Sequence, residues 1–159
     1  WAQTVLRQFL FSVYQYLLFE QLQKSKDEQL AAIAQKSIKE TTYHLKWSGD
    51  WVIRLGDGTE ESHSRINKAI EMLWEYTGEL FIPVDYEIES EKEALGINSS
   101  SLKQQWFQKV NEVFEEATLL IPKDRFMQTG GKLGIHTENL GYILAEMQSL
   151  QRTYPGAEW

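Results

Sequence analysis

The sequence predicts an all-α protein folded as a single domain. Apolar residues recur at intervals of three and four along several long stretches, which is the period of one helix face. Each of the three prolines, Pro83, Pro122 and Pro155, follows such a stretch, where proline ends a helix at little cost. The 159 residues suit one ordinary domain, and 42% hydrophobic residues are enough for a core. We therefore expect one helical domain over residues 1–159.

Charge and residue content exclude several classes of function. Sixteen Lys and Arg against 23 Asp and Glu give a net charge of -7, which repels nucleic acid and anionic lipid. The absence of cysteine excludes disulfides, thiolate catalysis and Cys-ligated metals within the chain. The apolar stretch at residues 1–19 contains Arg7, Gln8 and Gln15, which favours a buried helix over a membrane span. We expect a cytoplasmic protein without a membrane or nucleic-acid partner.

The first two predicted helices form an antiparallel hairpin. The first runs from near residue 4 to about residue 24, and its apolar residues cover well over half of its circumference, which places it centrally. A capping-box spacing at residues 25–28 starts the second helix, which ends at Gly56 and Gly58. At ~100° per residue, the inward stripe of the second helix comprises Leu30, Ile33, Ala34, Ser37, Thr41, His44, Leu45, Ser48, Trp51, Val52 and Leu55.

Three further helices complete a prediction of about five. The third begins between Thr59 and Ser64 and runs to about residue 79. The acidic segment at residues 84–101 lacks a sustained apolar period and is predicted to be a solvated connection. One of the serines at 99–101 caps the fourth helix. The last helix follows a glycine-rich loop and carries, on one face, Leu140, Leu144, Met147 and Gln151.

A helical hairpin with an inward His suggests a carboxylate-bridged di-iron site, in which two helices each give a Glu and two others each give Glu-x-x-His. On the second helix, the inward pair at this spacing is Thr41 and His44, so a hydroxyl stands where a carboxylate is needed. Glu40 lies at the edge of the stripe. On the first helix the only carboxylate is Glu20, ~15–20 Å along the axis from that level at ~1.5 Å per residue.

These positions therefore predict a degenerate site without metal. We interpret His44 as a core imidazole held by a hydrogen bond. Residues 60–63 (EESH) also match Glu-x-x-His, but they fall in the first turn of a helix, where acidic residues favour the helix dipole and face water. We interpret that match as a decoy, and we assign no catalytic residue.

The glycine-rich loop is the other candidate site. It offers backbone amides at a helix start, with Lys132 and His136 nearby, and such groups could hold a phosphate or a carboxylate. It lacks the spacing and the preceding strand of a nucleotide-binding loop. We interpret it as a structural turn or as a loop that contacts a partner through Gly130, Gly131, Lys132, His136 and Glu138.

Five distinctive segments follow one another along the chain: residues 39–45 (KETTYHL), 54–59 (RLGDGT), 73–81 (LWEYTGELF), 130–141 (GGKLGIHTENLG) and 144–148 (LAEMQ). In this order they resemble the C subunits (PaaC) of ring-1,2-phenylacetyl-CoA epoxidase, a multicomponent bacterial monooxygenase of phenylacetate breakdown. The resemblance covers essentially the whole chain, and the segment at 130–141 is its most specific part.

This resemblance implies a ferritin-like helical bundle, and it implies that two core helices of the family precede the first residue of this chain. It also implies that a catalytic A subunit holds the di-iron centre and binds the acyl-CoA, and that a reductase component delivers electrons. The C subunit would then be a scaffold without a cofactor of its own. The residues alone support the same conclusion, because Thr41 places a hydroxyl where a ligand carboxylate would stand.

The leading hypothesis is a non-catalytic structural subunit that positions a catalytic di-iron partner, within a homo- or hetero-oligomer, for epoxidation of a CoA-bound aromatic ring. One alternative is a catalytic di-iron oxygenase whose carboxylates come from the missing helices. Another is an acyl-CoA-binding helical module that grips the CoA phosphates with its glycine-rich loop. Because missing core helices would leave the hairpin's apolar faces bare, we also expect that segment or a second copy to cover them.

Overall fold

Helix α1 occupies the centre of the first of two compact units, which comprises residues Trp1–Gln128. The computed structural model describes residues 1–158, and in this range the secondary structure is helical, without a β-strand. The α-helices are α1 (Ala2–Leu22), α2 (Glu28–Gly56), α3 (Glu60–Leu73), α4 (Asp85–Lys92), α5 (Lys103–Glu116), α6 (Asn139–Met147) and α7 (Ser149–Thr153). The predicted all-α class is confirmed, and the arrangement is consistent with a ferritin-like helical bundle.

The burial of α1 follows from its neighbours. It packs against α2, α3 and α5, so apolar side chains are needed on most of its surface. Its buried residues are Ala2, Val5, Leu6, Phe9, Leu10, Ser12, Val13, Tyr14 and Leu17. The central position predicted for this helix is confirmed. Within residues 1–158, no helix combines the length and the apolar character that crossing a membrane requires.

The hairpin of α1 and α2 is antiparallel, as predicted. The ring of Trp1 meets the rings of Trp47 and Trp51 edge-on, with centroids 5.9 and 5.7 Å apart, so the start of α1 lies beside the second half of α2. The predicted cap at Ser25 is wrong, because the side chain of Asp27 accepts the hydrogen bond from the amide of Leu30 at 2.9 Å. The α2 helix therefore begins two residues later than a serine cap would place it.

A cluster of aromatic rings joins α1 to the rest of the first unit. The indole Nε1 of Trp106 on α5 donates a buried hydrogen bond of 2.9 Å to the carbonyl oxygen of Leu10. The same ring lies 5.8 Å from Trp74 and 5.3 Å from Phe81, measured between centroids. Trp74 and Phe81 belong to two 3₁₀ turns, Trp74–Tyr76 and Gly78–Phe81, where the sequence predicts a continuous third helix. The chain turns there to bring both rings onto Trp106.

The acidic segment is more ordered than predicted. The sequence predicts a solvated connection at residues 84–101, but Asp85–Lys92 forms α4 and Ser99–Leu102 forms a 3₁₀ turn. The Glu87 carboxylate accepts hydrogen bonds from the Val84 amide and the Ser99 hydroxyl, both at 3.2 Å, and so caps the helix start. No residue of α4 is buried, so the surface position is correct while the absence of regular structure is wrong.

Small residues bring α2 close to its neighbours. The buried positions of α2 are Ala34, Thr41, Ser48, Gly49, Val52 and Gly56. A Cβ atom on Gly56 would overlap the carbonyl oxygen of Ala117, so only glycine fits at this contact with the end of α5. In contrast, Ile33 of the predicted inward stripe is 51% exposed. The buried face of α2 is thus turned toward its small residues and away from Ile33.

The second unit begins at Thr129 and has no buried residue within its described part. It contains a 3₁₀ turn at Gly131–Leu133 followed by α6 and α7. The sequence predicts one last helix, but that helix is interrupted at Gln148. This break and the formation of α4 account for the two α-helices found in residues 1–158 beyond the five predicted. On the predicted apolar face, Leu144 and Met147 of α6 are exposed, by 40% and 69%, and Leu140 is half-buried.

Two glycines of α2 should respond oppositely to the same substitution. Gly56→Ala is expected to destabilise the fold by about 1–3 kcal/mol, because the added methyl group overlaps Ala117. Gly49→Ala is expected to stabilise the fold by about 0.5–1 kcal/mol, because its Cβ would meet only ordinary contacts and alanine favours the helix. Urea unfolding of both variants measures the difference; equal effects would contradict the close approach at Gly56.

Candidate metal centre

The two positions predicted as a degenerate Glu-x-x-His pair lie near the middle of α2 but differ in environment. Thr41 is buried, and its hydroxyl donates a hydrogen bond to the carbonyl oxygen of Ser37 at 3.0 Å. This is the usual bond of a helical threonine to its own backbone. The hydroxyl is therefore occupied within α2, and it carries no negative charge to offer a metal.

The interpretation of His44 as a core imidazole is wrong. Its side chain is 42% exposed, and its Nε2 lies 3.8 Å from a carboxylate oxygen of Glu40, which is itself 77% exposed. The reason is the rotation of α2 described above, since α2 buries the face that carries Ala34, Thr41 and Ser48. At ~100° per residue His44 falls at the edge of that face. It is a half-exposed residue beside one exposed acid.

The facing helix supplies no carboxylate at this level. Because Trp1 contacts Trp47 and Trp51, the part of α1 that lies level with Thr41 and His44 is one to three turns from its start. Residues 2–19 contain no Asp or Glu. Glu20 is exposed and lies close to the turn that ends the hairpin. It is separated from the Thr41 level by ~15–20 Å of helix at ~1.5 Å per residue.

The residues of this hairpin do not fit a di-iron centre. Such a centre needs several anionic oxygens that converge with two imidazoles. The hairpin has one half-exposed imidazole, one exposed carboxylate near it and a buried hydroxyl. Across residues 1–158, no group of three or more His, Asp or Glu side chains is placed to hold a metal ion.

The second literal match to Glu-x-x-His is engaged in structural contacts. The α3 helix starts within the predicted range, and Thr59 caps it by accepting a hydrogen bond of 3.2 Å from the amide of Ser62. The Nδ1 of His63 donates to the carbonyl oxygen of Gly56 at 2.6 Å, and Glu61 forms an ion pair with Arg65. These contacts join the end of α2 to the start of α3. They support the interpretation of residues 60–63 as a decoy in the first turn of a helix.

The glycine-rich loop is a compact turn within the second unit. Gly130 and Gly134 have positive φ values of 95° and 85°, which glycine adopts without strain. The carbonyl oxygen of Gly130 accepts hydrogen bonds from the amides of Leu133 and Ile135 at 2.9 and 3.0 Å. Several amides that the sequence suggests as anion donors are thus used inside the loop.

The charged residues of this loop differ in their exposure to solvent. Lys132 belongs to the 3₁₀ turn and is half-buried, whereas His136 and Glu138 are exposed. A contact of this loop with a partner or with CoA stays a prediction.

A buried phenol is the titratable group that the sequence does not reveal. Burial against α4 and the 3₁₀ turn at Phe81 raises the pKa of Tyr14 to about 12, and the nearby Glu87 carboxylate acts in the same direction. The sequence predicts a solvated acidic segment, so no local signal places Glu87 beside α1.

Comparison with known proteins decides the family. A family model described as "Phenylacetic acid catabolic protein" matches residues 1–159. The chain belongs to this family. It is 43% identical, over 158 residues, to the protein of Escherichia coli (strain K12) that is named as the C subunit of 1,2-phenylacetyl-CoA epoxidase. The resemblance to C subunits drawn from the sequence motifs is thereby confirmed.

This member of the phenylacetic acid catabolic protein family spans only part of its relative. The match covers 99% of the chain but 64% of the Escherichia coli protein. The family match also extends over both compact units, since it includes the second unit from Thr129 onward.

The buried phenol gives the fold a dependence on alkaline pH. Tyr14 keeps its proton to about pH 12 in the folded chain, whereas a phenol in the unfolded chain ionises near 10.0. The unfolded state therefore binds fewer protons above pH 10, and stability falls by about 1 kcal/mol by pH 11. Urea unfolding between pH 8 and pH 11 should show a smaller loss for Tyr14→Phe than for the parent. Tyr43→Phe, on an exposed face of α2, is the control, and a parent-like slope for Tyr14→Phe would refute this account.

Proposed function

We propose that the chain is part of a non-catalytic, structural subunit of a multicomponent di-iron monooxygenase that epoxidises the aromatic ring of phenylacetyl-CoA in phenylacetate catabolism. Membership of the phenylacetic acid catabolic protein family supports the pathway. The 43% identity to a relative named as an epoxidase C subunit supports the assignment to this enzyme and to its C subunit.

One observation carries the non-catalytic part of this proposal. On the hairpin where a ferritin-like di-iron site would be built, the inward carboxylate is replaced by Thr41, and the facing stretch of α1 has no acidic residue. A pair of iron ions in a helical core carries several positive charges, which only anionic ligands can balance. A hydroxyl bonded to its own helix backbone cannot provide that charge.

The partner of this subunit would be a catalytic A subunit that holds the di-iron centre and binds the acyl-CoA. A reductase component would supply electrons to that centre and would concern this chain only indirectly. In such a hetero-oligomer the present chain acts through its surface, by stabilising the catalytic partner and fixing its position. The aromatic content of 13% suits large buried interfaces.

Two alternatives have less support. A catalytic di-iron site would need its carboxylates from outside this chain, and two further helices would provide only half of the usual ligand set. An acyl-CoA-binding module would need the glycine-rich loop to hold phosphates, but the amides of Leu133 and Ile135 already bond to Gly130. The structural role needs neither additional carboxylates nor free backbone amides in the loop.

Substitution of the degenerate pair tests this role. Thr41→Ala and His44→Ala are each expected to leave the turnover of a reconstituted epoxidase within about twofold of the parent, because neither side chain would hold a metal. The rate of acyl-CoA-dependent reductant oxidation measures turnover, and co-purification confirms assembly. Substituting an iron-ligating Glu of the A subunit serves as the positive control. A loss beyond about tenfold in an assembled complex, the size typical of disturbed metal sites, would overturn the proposal.

A further inference from the structure

The connection between α2 and α3 contains the one aspartate of this chain that is followed by glycine. The chain has five aspartates, and only Asp57 precedes a glycine, Gly58. The other four precede Glu, Trp, Tyr and Arg. A side chain on the following residue hinders attack of that residue's amide nitrogen on the aspartate carboxyl group, and glycine has none. The peptide bond between Asp57 and Gly58 is therefore the least hindered of the five.

The fold itself requires glycine at position 58. A Cβ atom on Gly58 would lie 2.6 Å from the carbonyl oxygen of Arg54 and 2.8 Å from the hydroxyl of Ser62. The hydroxyl can rotate away, but the carbonyl oxygen belongs to the backbone of the last turn of α2. The close approach of the chain to the end of α2 thus excludes a side chain at this position. The unhindered bond after Asp57 is a consequence of this packing.

The reacting groups of Asp57 and Gly58 are not held by hydrogen bonds. Within residues 1–158, neither the amide of Gly58 nor the carbonyl oxygen of Asp57 has a hydrogen-bond partner. The Asp57 carboxylate likewise forms no hydrogen bond or ion pair in this range. The α2 helix ends at Gly56, and Asp57 has a φ of -90° and a ψ of 7°. Rotation about its Cα–C bond therefore moves the Gly58 nitrogen relative to the carboxyl group without breaking a hydrogen bond.

Solvent water reaches this peptide bond. Asp57 and Gly58 are both exposed, and they line an open cavity of about 360 Å³. The cavity is also lined by Gly56, Thr59, Glu60, His63, Ser64 and Thr118. Water that enters it is available to hydrolyse an intermediate formed at Asp57.

We propose that Asp57 is a site of spontaneous isomerisation to isoaspartate. The Gly58 nitrogen attacks the carbon of the protonated side-chain carboxyl group, the new bond closes a five-membered succinimide, and the hydroxyl group leaves as water with the amide proton. A second water then adds to the main-chain carbonyl carbon of the succinimide and breaks its bond to nitrogen. The chain now continues through the side-chain carbon, and a carboxyl group remains on Cα. One water is released and one is consumed, so the mass does not change.

Isomerisation loosens the junction of α2 with α3. The isoaspartyl link adds one methylene carbon to the backbone between Asp57 and Gly58. The hydrogen bond of 2.6 Å from His63 Nδ1 to the carbonyl oxygen of Gly56 spans this link, so a longer backbone disturbs its geometry. The inference concerns the chain itself and does not depend on the proposed function.

Ageing of the complete subunit tests the proposal. The protein is incubated for weeks at mildly acidic pH and digested with trypsin, which releases residues 55–65 with Asp57 as their sole aspartate. Methylation by an isoaspartate-specific methyltransferase and fragmentation in a mass spectrometer measure the isoaspartate. Asp27, exposed at the other end of α2, is the internal control, because its carboxylate accepts a hydrogen bond from the Leu30 amide and Glu28 follows it. Isoaspartate should accumulate several-fold faster at Asp57 than at Asp27.

Two variants change the chemistry without removing a contact, because the Asp57 side chain has no partner in the described chain. Asp57→Glu keeps the charge but needs a six-membered ring, which closes more slowly, so isomerisation should be lost. Asp57→Asn releases ammonia more readily than the parent releases water, so isoaspartate should appear several-fold faster.

Hydrogen exchange over residues 57–63 measures the structural effect. Exchange should be faster in the aged parent than in the aged Asp57→Glu variant, because the junction is loosened only in the parent. Equal amounts of isoaspartate at Asp57 and Asp27 would overturn the assignment of the site. Isoaspartate at Asp57 with unchanged hydrogen exchange would overturn the loosening of the junction. Neither result affects the proposed function, since no di-iron partner takes part in these measurements.

Discussion

The enclosure of α1 by α2, α3 and α5 is the constraint on which the rest of this structure depends. A helix covered on several sides at once must present apolar side chains around most of its circumference, and α1 does so from Ala2 to Leu17. An ionised carboxylate inside that contact would cost several kcal/mol unless a cation compensated it. The bond from Trp106 to Leu10 fixes α5 on the same helix. The helix that makes the fold stable is thus unsuited to hold metal ligands.

The small residues of α2 determine how closely this helix approaches its neighbours. Gly56 allows α2 to touch the end of α5 at Ala117, and His63 bonds the Gly56 carbonyl oxygen, so the two helices converge at that end. At Gly49, seven residues earlier, a Cβ atom would make only ordinary contacts with Phe9 and Val113.

The sequence predicted those features whose signals are local. The continuous apolar surface of α1, the start of α3 between Thr59 and Ser64 and the proline boundaries come from neighbouring residues, and the structure confirms the first two directly. His44 and Ile33 were misplaced because the predicted stripe omits Gly49 and Gly56, the glycines of the buried face of α2. The order of residues 84–101 depends on the hydrogen bonds of Glu87 with Val84 and Ser99. Hydrogen bonds from Ser25 and Lys26 to the carbonyl oxygens of Leu95 and Ala94 also hold this segment, and they join residues far apart in the chain. Contacts of the glycine-rich loop with other molecules leave no local signal in the sequence either.

The most direct test of the account is an anaerobic titration of the isolated chain with Fe(II), followed by exposure to oxygen. The number of bound irons and the absorbance of any oxidised di-iron species are the measured quantities. The account predicts no saturable binding and no oxygen-dependent absorbance, because α1 and α2 provide too little negative oxygen. Saturation at two irons per chain, lost on replacing Thr41 or His44 by alanine, would contradict it.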